Sequence, residues 1–119
     1  MAEDAQQIIQ RSLLGEAVDL LHGVAVFVWN EDRNYVAVNE EACRLVGVSR
    51  EQLIGMPVGE LSPGHAAREL EQVRGAELVD GTSSFTRPDG EVVELEWTTM
   101  HTRIASLPYM VSFCRRRFV

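Results

Sequence analysis

Two cysteines, three histidines and eighteen carboxylates are the side chains with which this 119-residue sequence could do chemistry. Their spacing disfavours most of it. Cys43 and Cys114 stand alone, outside any CxxC pair, and no His/Cys cluster offers a zinc site. Both lie among apolar residues, the setting of small buried thiols. His22 and His101 have no serine or cysteine nucleophile at a suggestive spacing. Glu94 and Glu96 share one face of a strand and could mimic an acid pair, but outward salt-bridge partners are the plainer role. His65 follows the break Ser62-Pro63-Gly64, where a neutral imidazole nitrogen suits a metal and a solvated helix start suits it equally. All eleven basic residues are arginine, which excludes Schiff-base lysine chemistry and the lysine-bearing phosphate loop.

The net charge of −7 includes Arg115, Arg116 and Arg117 at the C-terminal end. Without them eight arginines face eighteen acids, a body that repels phosphate backbones and argues against nucleic-acid binding. Hydrophobic residues at 45% and charged residues at 24% suit one soluble globular domain. No apolar run is long enough to span a bilayer. The acidic start Met1-Ala2-Glu3-Asp4 is unlike a secretory signal, so a cytoplasmic setting is expected.

The elements that must position these residues follow from periodicity. Residues 4–22 read as an amphipathic helix, with Ile9, Leu13, Ala17, Leu20 and Leu21 on one face and Ile8, Leu14 and Val18 widening it. So broad a stripe must cover a sheet, a partner chain, or both. Val24 to Trp29 reads as a buried strand, Asn30 to Asn34 as a turn and Tyr35 to Val38 as its hairpin partner. Asn39 is a helix N-cap before Glu40 and Glu41, with Gly47 as the stop. Ser49 and Gln52 form a capping box for a short helix. From His65 to about Leu78 the pattern is helical again, and Asp80-Gly81 ends it. Ser83 to Thr86 reads as a short strand. Arg87-Pro88-Asp89-Gly90 is the strongest turn signal. Val93, Leu95, Trp97 and Thr99 then alternate with polar residues, and Pro108 precedes a last strand from Tyr109 to Arg115. The expected class is α+β: a five-stranded antiparallel sheet with short helices on one face and the N-terminal helix on the other.

Three segments resemble the PAS family. Tyr35 to Gly47 is similar to its strand-Asn-helix segment, Ser49 to Val58 to its next short helix, and Arg87 to Glu96 to its hairpin. The resemblance they carry runs from about Gly23 to Cys114, which sets residues 1–22 apart as a capping or dimerisation helix before a PAS domain over 23–119. The resemblance implies a sensory or interaction module rather than an enzyme. It places Phe27, Trp29, Leu95, Trp97, Thr99, Met110, Ser112 and Cys114 on a ligand-facing side of the sheet, with Leu45, Leu70, Val73 and Phe85 completing a cavity. It places Tyr109, Val111 and Phe113 on the outer face, beneath Ile9, Leu13 and Leu20, where such proteins often form homodimers.

What fills the cavity stays open. An apolar, lipid-like guest suits so apolar a face, and a filled core suits it equally. Haem-binding members carry an axial histidine on the helix that His65 opens, so haem at His65 is an alternative. The light-sensing LOV group needs an Asn-Cys-Arg motif that Met56 to Leu61 lacks, and Leu95 and Cys114 are not the amides that grip a flavin; a non-photochemical flavin stays open as an alternative. A small α+β enzyme would need an acid or base pointing inward. The tail Arg115 to Val119 departs from the Asp-Ile-Thr-like linker of many members, so direct coupling to a C-terminal kinase or cyclase is not implied.

Overall fold

The computed structural model describes residues 14–58, 60, 78–104 and 106–117. β1 (Ala25–Asn30) is apolar at almost every position because both of its faces are covered. It pairs antiparallel with β2 (Tyr35–Val38) on one side and with the last strand, β5 (Leu107–Arg116), on the other. β5 pairs in turn with β4 (Val92–Ile104), and β4 with β3 (Leu78–Thr86), giving the order β2-β1-β5-β4-β3. The first and last strands thus lie side by side at the centre of the sheet, with β2 and β3 at its edges.

Two short helices follow β2. In α2 (Glu40–Val46), Asn39 caps the start and Gly47 ends it in the left-handed conformation, at φ 72°. In α3 (Arg50–Leu53), the Ser49–Gln52 capping box forms in both directions. Residues 14–19 form the described part of the N-terminal helix, here α1. It stops where the Leu20 and Leu21 N–H groups donate to the Ala17 and Val18 carbonyls, a tightened last turn.

The sheet separates two apolar clusters. On the inner face Phe27, Val93, Leu95, Trp97 and Cys114 pack with Ala42 and Val46 of α2 and Leu53 of α3. On the outer face Val26, Val28, Val36, Ala37 and Tyr109 pack with Val18 of α1. Among the described residues no helix is long and apolar enough to cross a membrane.

Three expectations need correction. Asp80-Gly81 does not end a helix: both lie inside β3, which begins at Leu78 rather than Ser83. Gly81 faces Trp97, whose indole occupies the space a side chain would take. β5 likewise starts at Leu107, with Pro108 opposite Arg103 near the hairpin end, where a missing N–H costs the ladder little. The third concerns α1. Leu14 and Val18, four residues apart, meet the sheet, whereas Leu20 is 78% exposed. Leu20 lies past the last helical residue, in the turn that closes α1, and faces solvent.

Candidate functional site

The inner face divides into a filled half and a polar half. Phe27, Leu95, Trp97 and Cys114 belong to the buried cluster under α2 and α3, with Leu45 half-buried against it. Trp29, Thr99, Met110 and Ser112 lie further along the same face. There the Trp29 indole N–H donates to Ser112 Oγ at 3.4 Å, and Ser112 Oγ lies 2.7 Å from Thr99 Oγ1. Thr99 is one of two buried polar residues among those described, the other being Asn39. Leu70, Val73 and His65 lie outside the described residues, as do Ile9 and Leu13; Phe85 is opposite Val93 in the β3–β4 register.

Trp97 adds a second polar feature. The edge of its indole lies over Gly81, where an added Cβ would come within 2.3 Å of Cζ2. Its Nε1 is buried with no hydrogen-bond partner. An indole N–H left so costs about 1–3 kcal/mol unless something accepts from it.

Asn39 joins the layers. Its Oδ1 accepts from the Val26 and Ala42 backbone N–H groups, each at 2.9 Å. Its Nδ2 donates to the Val24 carbonyl at 2.8 Å and to the Leu21 carbonyl at 3.3 Å. One fully buried amide thus ties the exit of α1, the start of β1 and the first turn of α2. Arg50 makes a parallel link: it pairs with Asp19 of α1, and its Nε donates to the Val38 carbonyl at 3.3 Å.

Arg87 holds the far end of α2. Its Nη1 donates to the Arg44 and Leu45 carbonyls at 2.8 and 3.0 Å, where a cation complements the helix dipole. The turn is closed by Arg87 N–H to the Glu91 carbonyl at 2.8 Å. Sequence reasoning saw the hairpin motif here but missed this anchor, as it missed the amide donors of Asn39 and the stacking of Trp97 on Gly81. Such contacts lie far apart in sequence and leave no periodic signal.

The charged groups are structural. Glu96 pairs with Arg115 at 3.2 Å and Glu91 with Arg116, so the basic tail is partly neutralised by β4 and the turn before it. Arg44 hydrogen-bonds Glu40 and holds its carboxyl below the usual range. Burial pushes the half-buried Cys43 thiol up, away from a reactive thiolate. Among the described residues no Asp, Glu or His is buried. No metal-binding cluster occurs among them either.

The PAS fold family matches residues 8–115. The chain is a PAS domain. Members of this family are sensory and interaction modules of signalling proteins rather than enzymes. Among curated proteins none matches this chain. Solved structures with the same fold include a PAS domain from a two-component sensor histidine kinase (20% identity, TM-score 0.72, covering 94% of this chain and 96% of that one). A PAS domain of a protein from Colwellia psychrerythraea matches at 22% identity and TM-score 0.74, over 93% and 97% of the two chains. A LOV protein from Rhodobacter sphaeroides matches at 14% identity and TM-score 0.74, over 92% of this chain and 68% of that one. At such identities the likeness concerns fold.

Proposed function

We propose that this PAS domain is a ligand-responsive sensor. A small, mainly apolar molecule sits on the inner sheet face, and its occupancy is read at α1 on the outer face of a homodimer. The observation that carries the reading is Asn39. The same side chain that caps α2 also grips the Leu21 and Val24 carbonyls at the exit of α1. A shift of α2 or of the sheet is therefore transmitted to the outer helix by hydrogen bonds rather than by loose packing. A ligand that favours one arrangement would change the populations of α1, with no covalent chemistry needed. Leu20 and Leu21, 78% and 42% exposed, offer apolar contact to a second copy of the chain.

Native mass spectrometry with an absorbance spectrum on the purified chain tests both halves. A colourless dimer retaining a small molecule is the expected result. A bare monomer that takes up nothing from a lipid extract would overturn it. A Soret band that disappears in His65→Ala would replace the apolar ligand with haem.

A further inference from the structure

The chemistry left over on the inner face narrows the class of ligand, given the proposal above that a ligand occupies this face. Donors and acceptors there do not balance. Ser112 Oγ accepts from the Trp29 indole and shares one hydrogen bond with Thr99 Oγ1. Two hydroxyls supply two protons, and the contact between them uses one. Whichever hydroxyl donates, the other keeps a proton for which no acceptor is found among these three side chains. The Trp97 N–H is a second unused donor, on the same strand and the same face two residues away.

Both donors are neutral. Among the described residues no arginine or histidine is buried on this face: Arg103 and His101 are exposed at its end, and Arg87 is bound to the α2 carbonyls. A buried carboxylate would bring a charge with no cation among the described residues to meet it. A pure hydrocarbon would leave the buried Trp97 N–H without an acceptor. The ligand these groups fit has an apolar body and a neutral acceptor oxygen. We infer that the inner face selects an uncharged carbonyl-bearing molecule, a ketone, quinone or ester, its oxygen accepting from Trp97 Nε1 or from the Thr99–Ser112 pair.

The sequence has only two tryptophans, Trp29 and Trp97, so their indole N–H resonances report on the site directly. We would titrate the 15N-labelled full chain with three probes of one shape: 2-acetylnaphthalene, 2-ethylnaphthalene and 2-naphthoate. Trp29→Phe and Trp97→Phe assign the two peaks. The ketone is expected to bind about tenfold more tightly than either analogue, the difference one good hydrogen bond makes. It should move an indole or hydroxyl-coupled signal that the hydrocarbon leaves in place. One of two variants, Trp97→Phe or the double variant Thr99→Val with Ser112→Ala, should abolish the preference while hydrocarbon binding persists; a preference that survives both would overturn the assignment. Equal binding of ketone and hydrocarbon would overturn the carbonyl assignment and leave the ligand-binding reading standing. Tightest binding of the naphthoate would likewise overturn it. Binding of none of the three would overturn both, the inner face then being a packed core.

Discussion

The two faces of this sheet are both covered by helix, but the covers are fastened differently. On the inner side α2 is capped at its start by Asn39, stopped by Gly47 and clamped at its end by Arg87. Its apolar residues Ala42 and Val46 are buried to 4% exposure or less. On the outer side the described part of α1 rests on Val18 and half-buried Leu14, with one exposed ion pair and the Asn39–Leu21 hydrogen bond at its exit. The inner cover is locked by directional bonds at both of its ends, and the outer one is held by a smaller apolar contact. For a sensor that difference is useful. The layer that reports should be the one that moves at low cost, because elements of low local stability are those that shift without unfolding the rest.

The largest test strikes the residue both layers share. Asn39→Ala removes the α2 cap, worth about 1 kcal/mol, and strands the buried Val26 N–H and Val24 carbonyl at about 1–3 kcal/mol more. Urea denaturation should show a loss of about 3 kcal/mol. Asn39→Asp sharpens the comparison, because it keeps both acceptor contacts but sets a buried carboxylate oxygen against the Leu21 and Val24 carbonyls in place of the two donated bonds. It should retain α2 while speeding hydrogen exchange at residues 14–21. Equal exchange in α1 and α2 would mean that the layers open as one unit.

Next in size is the inner face at Gly81. An added methyl would lie 2.3 Å from Trp97 Cζ2, closer than any stable contact. Gly81→Ala should cost roughly 1–3 kcal/mol through overpacking. Trp97→Phe in the same chain should recover part of that loss, a coupling that a double-mutant cycle measures. On the outer face Val18→Ala should cost about 1–2 kcal/mol, from the lost apolar burial at a residue 5% exposed. Leu20→Ala, at 78% exposure, should stay within about 0.5 kcal/mol in the monomer. A reversal of that order would restore the helix face expected from periodicity.

Much of this architecture was legible in the residues, and the misses share a physical cause. Capping chemistry is local, so Asn39, Gly47 and the Ser49–Gln52 box all behave as their types demand. Period-two alternation placed Leu95, Trp97 and Thr99 on one face because only one side of β4 is buried. Gly81 misled because glycine usually weakens a strand, whereas here a distant indole takes the place of its side chain. The α1 stripe was too broad to show which residues touch the sheet, and that depends on where the helix is anchored. The candidate site was legible as a face but not as a balance of donors. The Trp29–Ser112–Thr99 chain spans three strands, and the unmet Trp97 N–H is visible only once its surroundings are in place.

The smallest effect is the most informative about signalling. Asp19 and Arg50 are each exposed by more than a third, so their ion pair contributes at most about 1 kcal/mol and is screened by salt. Asp19→Asn should therefore leave the denaturation midpoint almost unchanged. Its effect should appear instead as faster hydrogen exchange in residues 14–19, with 0.5 M salt producing the same change in the unaltered chain. Arg87→Gln, the matching cut at the inner cover, removes hydrogen bonds to two helix carbonyls and should shift the midpoint measurably. If Asp19→Asn proves the more destabilising of the two, the outer layer is no looser than the inner one. The sensor would then have to report through motion of the whole domain rather than of α1.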